Sequence, residues 1–183
     1  VVTILLILIV LFILYLVFTY NRLVRLQNLT KEGWSGIDVQ LKQRANLIPN
    51  LVEAVKGYMG HERGVLEKLT ELRTQCLASG TMQERSANEN QLTGALRQLF
   101  ALAENYPDLK ASQNFIELQQ ALSNVENQIQ LARRYYNGTA RDFNILVESF
   151  PSNLVARGFG FGPVQFFEIE DAAERDVPSV KFS

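Results

Sequence analysis

Thiols and imidazoles are almost missing from this chain, which holds one cysteine, Cys76, and one histidine, His61, in 183 residues. A single cysteine excludes an internal disulfide framework and suits a reducing compartment. With so few soft ligands, a four-coordinate zinc site would have to be built from carboxylates. His61-Glu62 opens like the H-E-x-x-H of zinc proteases, but the second histidine's place is taken by Val65. One imidazole and no G-x-S-x-G elbow argue equally against a serine or cysteine nucleophile. The chain is expected not to be an enzyme: no catalytic residue, metal ligand or cofactor is assigned. An excess of charge of one sign is missing too. Eighteen basic residues face 19 acidic ones, so no broad nucleic-acid-binding surface is implied.

Charge, glycine and proline are all absent from Val1 to Tyr20, where only Thr3, Tyr15, Thr19 and Tyr20 carry polar side-chain atoms. Twenty helical residues rise roughly 30 Å, the thickness of a bilayer's hydrocarbon core. Three other readings fit less well. A cleaved signal peptide has a shorter apolar core and a small-residue cleavage site, and no Ala, Gly or Ser precedes Gly33. A soluble core helix is rarely apolar on every face for this length. A type IV pilin carries an early glutamate, where this chain has Leu5. The segment therefore reads as a transmembrane anchor, with Tyr15, Tyr20, Arg22 and Arg25 at the membrane interface. Arg22, Arg25 and Lys31 place the following domain on the cytoplasmic side by the positive-inside rule.

Beyond the anchor, helical periodicity dominates. A heptad stripe runs from Trp34 through Ile37, Leu41, Ala45, Ile48, Val52, Val55, Met59, Glu62, Leu66, Leu69 and Arg73 to Cys76. It predicts one long helix, kinked at Pro49. Ser79-Gly80 reads as a stop and Thr81 to Glu84 as a capping box. The next helix carries Leu92, Leu96, Leu99, Ala103 and Tyr106 and ends before Pro107. Asp108 or Ser112 can cap another, striped by Phe115, Leu118, Leu122, Val125, Ile129, Ala132, Tyr136, Thr139, Phe143, Leu146 and Phe150 and ended by Pro151.

The expected fold is all-α: an N-terminal transmembrane helix, then an antiparallel bundle of long helices and an extended C-terminal tail. The segments are an anchor over 1–20, a membrane-proximal stalk over 21–33, the bundle over 34–157 and a Gly/Phe-rich tail over 158–183. Nothing between Tyr20 and Gly33 breaks a helix, so the anchor can run on as the stalk, and Gly33, Ser35 and Gly36 are the expected hinge. In the tail, Gly158 to Gly162 leads to Pro163 rather than a helix, which argues against phosphate cradling. Its phenylalanines are read as reaching an apolar surface, on the chain's own bundle or on a partner.

Arg44, Asn46, Pro49, Asn50, Glu53 and Lys56 form the best candidate for more than packing. Asn46, Asn50 and Glu53 share one helix face beside the stripe. Two roles are open to them: fixing register against another helix, near Asn124, Asn127 or Arg133, or facing a partner.

Several segments closely resemble the LemA family. They include Tyr20-Asn21-Arg22-Leu23-Val24, Trp34 to Lys42, Asn46 to Val52, and Val55-Lys56-Gly57-Tyr58. Tyr106 to Ala111, Glu126-Asn127, Ala132 to Asn137 and Phe150 to Leu154 continue the match, with Phe159-Gly160-Phe161, Phe166-Phe167-Glu168 and Val180-Lys181-Phe182 in the tail. The sequence departs at Gly33, where the family more often has Ala, and at Gln43, where a basic residue is common. The resemblance implies a bacterial inner-membrane protein with one anchor and a helical domain. It further implies a link to HtpX-like membrane metalloproteases, near which members are often encoded, and includes the magnetosome protein MamQ.

These readings point to a membrane-anchored scaffold or adaptor acting through protein-protein contacts. Its partners would be the bilayer and either further copies of itself or a membrane protein. A receptor for a peptide or small ligand is the second reading and an enzyme the third.

Overall fold

Val2–Lys56 forms one unbroken α-helix, α1, in a computed structural model that describes residues 1–60 and 62–168. His61 and the Val180-Lys181-Phe182 motif lie outside the described residues. Among the described residues five further helices follow: α2 Arg63–Ala78, α3 Met82–Ala103, α4 Pro107–Lys110, α5 Gln113–Glu148 and α6 Ser152–Gly158. No strand occurs among the described residues. The chain divides into two units, the first made of Val1–Leu41 with Glu126–Phe166, the second of Lys42–Val125 with the chain from Phe167.

In the first unit, α1 packs against the second half of α5. From Val2 to Phe18 nearly every α1 side chain is exposed, and the helix is long and apolar enough there to cross a membrane. Burial begins at Leu16 and Thr19 and is complete at Leu23. Leu23 joins Phe143 and Val147 of α5 and Val155 and Ala156 of α6, with Leu16, Leu26, Phe161 and Val164 around them. Burying a Leu or Phe of this kind contributes about 1.5–3 kcal/mol.

The expected hinge at Gly33, Ser35 and Gly36 is not there, because α1 stays helical through all three. Gly33 has another use. A Cβ at Gly33 would lie 3.0 Å from Tyr136 Cα and 3.2 Å from Tyr135 Cδ1, so the missing side chain lets two helix backbones meet. Beside that contact the rings of Trp34 and Tyr136 pack edge to face at 5.8 Å. After α6, Val164 and Gln165 are pinned to α5. Asn144 donates to the Val164 carbonyl at 2.8 Å and accepts from its N–H at 2.8 Å, and the Tyr136 hydroxyl donates to the Gln165 carbonyl at 2.7 Å.

In the second unit, α2 and α3 form a hairpin on the last turns of α1 and the first of α5. The capping box forms as read: Glu84 N–H donates to Thr81 Oγ1 and the Glu84 carboxylate accepts from Thr81 N–H, both at 3.2 Å. The core joins Leu51, Val55, Met59, Leu69, Leu72, Cys76, Leu92, Leu99, Leu109 and Phe115.

Two details of the stripes differ from expectation. The first helix breaks after Lys56 and resumes at Arg63. Met59 still fills the core from inside the turn, so the periodicity runs on through a break it cannot reveal. Phe150, the last member of the α5 stripe, is 80% exposed, because α5 has ended and Val147 takes the inward position.

The Gly33 contact sets a prediction. Gly33→Ala is expected to change thermal stability little, since about 1 kcal/mol of added helix propensity offsets the shift of α5. Gly33→Val, with two more carbons against a backbone atom, should lower the melting temperature clearly in circular dichroism.

Candidate functional site

The six candidate residues on α1 separate into two environments. Arg44 is fully buried, whereas Asn46, Pro49, Asn50, Glu53 and Lys56 are exposed. Helical geometry requires the split: Glu53 lies nine residues from Arg44, half a turn out of phase at 3.6 residues per turn.

Arg44 anchors a polar cluster inside the second unit. Its Nη2 donates to Glu89 Oε2 at 2.5 Å and its Nη1 to Thr93 Oγ1 at 2.8 Å. The Glu89 carboxylate is also near Arg85, with Nε 3.8 Å from Oε1. Removing one partner of such a buried pair costs about 3–5 kcal/mol, because the other charge is stranded without solvent. Cys76 borders the same cluster. Burial, then the negative charge of Glu89 and a hydrogen bond to it, push its thiol up to about 12. With so high a pKa the thiol stays protonated near neutral pH and unreactive.

Arg73 resolves the problem posed by Pro49. A proline at position 49 has no N–H, so the carbonyl of Ala45, four residues earlier, loses its helical donor. Arg73 of α2 replaces it, with Nε donating to Ala45 O at 2.8 Å. The charge that interrupts the apolar stripe thus completes α1 where proline leaves it open. Sequence reasoning missed Glu89 and Arg73 as functional positions. The available signal was a charged residue at a stripe position: Arg73 itself, and Glu89 three residues before Leu92.

The exposed face borders two cavities in the second unit. One, of about 640 Å³, is lined by Asn50, Glu53 and Ala54 of α1 and by Asn114, Glu117, Leu118 and Ala121 of α5. The other, about 580 Å³, has apolar walls of Val52, Met59 and Leu66 and a charged rim of Glu53, Lys56, Arg63 and Glu67. Glu53 belongs to both. Among the described residues no group of three or more His, Cys, Asp or Glu converges as a metal site would require. At the membrane-proximal positions, Tyr15 and Tyr20 are both partly exposed, 38% and 37%, and Arg22 and Arg25 are exposed.

A model of the LemA family matches residues 33–182. The chain belongs to the LemA family. The family match spans both units and most of the tail. Among curated relatives, the protein LemA of Metamycoplasma hominis is 30% identical over 162 residues, covering 86% of this chain and 72% of that protein. The magnetosome protein MamQ 2 of Paramagnetospirillum magneticum is 23% identical over 184 residues, covering 86% of this chain and 68% of its own length. MamQ of Magnetospirillum gryphiswaldense is 21% identical over the same shares. The family places this chain among membrane-associated helical proteins.

The Arg73–Ala45 bond gives a double-mutant test. Arg73→Met should destabilise the protein by about 1–3 kcal/mol by leaving a buried carbonyl unpaired. Pro49→Ala restores the missing N–H, so the same arginine change in that background should cost little. Equal losses in both backgrounds, measured by denaturant titration, would contradict the replacement.

Proposed function

We propose that this LemA-family chain is a membrane-anchored helical scaffold or adaptor acting through protein-protein contacts. The observation that carries it is the exposed polar face of α1, Asn46, Asn50, Glu53 and Lys56, bordered by two cavities on a helix that also carries the apolar span. A single span crosses the bilayer, and Arg22, Arg25 and Lys31 orient the helical domain toward the cytoplasm of a bacterial inner membrane. The amide and carboxylate groups of the face offer directional hydrogen bonds, and Val52, Met59 and Leu66 offer apolar area beside them. The partner is a second copy of the chain or another membrane protein, with an HtpX-like protease the choice the family resemblance favours. No catalysis is assigned to it.

A receptor role is the second reading. It is favoured by the cavity of about 580 Å³, a volume within the range of small-ligand sites.

Photocrosslinkers placed at Asn50 and Glu53 in intact membranes test the contact. The expected result is a discrete adduct that is absent from a probe at the exposed Gln128 of α5 and is lost with an Asn46→Arg change on the same face. An adduct of twice 20.7 kDa identifies self-assembly, and a different discrete mass identifies an adaptor. No adduct from either position contradicts both.

A further inference from the structure

The end of the first unit that carries the apolar span also presents large apolar side chains that the protein leaves uncovered. Phe150 is 80% exposed, and Leu154 and Phe159 are each 61% exposed. They come from three consecutive pieces of chain: the turn after α5, the helix α6 and the turn after α6. Isolated exposed hydrophobics are ordinary, but a group gathered at one end of a bundle marks an interaction surface.

Two observations fix the level of Phe150 and Phe159 along α1, and Leu154 lies between them in the chain, on α6. The first is helix register. Gly33 meets Tyr136, and the shared cluster of Leu23 with Phe143 and Val147 shows that α5 descends as α1 ascends. Twelve residues separate Tyr136 from the end of α5 at Glu148, and twelve separate Gly33 from Asn21. At equal rise per residue the turn holding Phe150 therefore lies beside Thr19 and Tyr20. The second is direct contact. The Tyr20 ring packs against Phe159 at 4.8 Å and against Phe161 at 5.9 Å. Gly160, with φ of 76°, makes the turn between these two phenylalanines. Phe161 is directed inward to Phe143, while Phe159 stays outside.

Tyr20 is where the exposed apolar run of α1 stops. Just beyond it on α1, Arg22 and Arg25 are exposed, as is Arg157 on α6, and Glu148 is the exposed acid nearest the turn in sequence. An apolar run followed along α1 by exposed arginines matches the layering of the bilayer interface, acyl chains under phosphates.

We infer that Phe150, Leu154 and Phe159 form a collar that inserts into the bilayer interface beside the anchor, so that the first unit lies on the lipid surface. The inference rests on the reading of α1 as a membrane span and adds a second attachment, made by the α5–α6 end. A bundle held at two points cannot swing freely on its anchor, and its orientation to the membrane is then fixed by the lipid itself.

The test uses the full-length chain in phosphatidylcholine vesicles with brominated acyl chains. Tryptophan is introduced at Phe150, Leu154 or Phe159, and the signal of native Trp34 is subtracted from the unsubstituted protein. Leu8→Trp reports the span and Leu131→Trp an exposed apolar site farther along α5. Because each collar position is exposed, the three substitutions check one another against a folding defect. The expected result is several-fold stronger quenching by brominated lipid at the collar than at Leu131, with matching protection from aqueous acrylamide. Collar positions as open to acrylamide as Leu131, with Leu8 quenched by lipid, overturn the collar and leave the anchor standing. Collar positions shielded from both quenchers mean that protein covers them, which also overturns it. A water-accessible Leu8 defeats the anchor reading and the collar with it.

Discussion

Every carbonyl of α1 has to find a donor, and the structure depends on that condition being met without a break from Val2 to Lys56. A helix satisfies its own backbone wherever the sequence permits, which is also what lets an apolar segment enter lipid. The sequence obstructs α1 at two kinds of position. Glycine at Gly33 and Gly36 weakens the helix, and Pro49 deletes a donor. Gly33 and Pro49 are both compensated from outside the helix. At Gly33 the backbone of α5 closes in on the space a side chain would fill. At Pro49 the guanidinium of Arg73 bonds the orphaned carbonyl of Ala45. Tertiary contacts thus maintain a helix that propensity alone would leave weak.

The interior of the second unit has a polar cluster where an apolar one would be cheaper to bury. Arg44, Glu89 and Thr93 join α1 to α3 by directional bonds, and Arg73 joins α2 to α1. Leucines and valines can slide past one another with small loss, whereas a buried guanidinium has one favourable setting. The cluster therefore fixes helix register. With Arg44 turned inward, the same stretch of α1 presents Asn46, Asn50, Glu53 and Lys56 outward, the last two as an exposed ion pair 4.0 Å apart.

Much of this architecture is legible in the sequence because it rests on local rules. The long apolar N-terminal helix follows from an uncharged run, the capping box from Thr81 and Glu84, and the buried face of α5 from the spacing of Phe115, Leu122, Val125, Ile129, Tyr136 and Phe143. The misreadings have equally physical causes. Met59 stays in phase with the stripe although it sits in a turn, so periodicity conceals the break between α1 and α2. Gly33 looks the same in a sequence whether it serves a hinge or a close helix contact, and only the position of Tyr136 decides. Arg44 stands out in the sequence, but its partner Glu89 lies 45 residues away on α3, a pairing that no local pattern encodes. The Phe-rich turn is legible as a segment seeking an apolar surface. Phe161 goes to the chain's own core and Phe159 does not, a division that depends on the left-handed turn at Gly160.

On the proposed reading, the membrane holds the first unit through a helix with no joint at Gly33. The distance between spin labels at Arg22 and Val39, placed as cysteines in a Cys76→Ala background and measured by pulsed electron resonance in lipid vesicles, tests this most directly. One continuous helix puts the two backbone positions about 25 Å apart, at 1.5 Å for each of the intervening steps. A single narrow distribution near that spacing is the expected result. A broad distribution, or one centred well below it, would mean that α1 bends at Gly33 to Gly36 and that the anchor and the bundle are joined by a hinge.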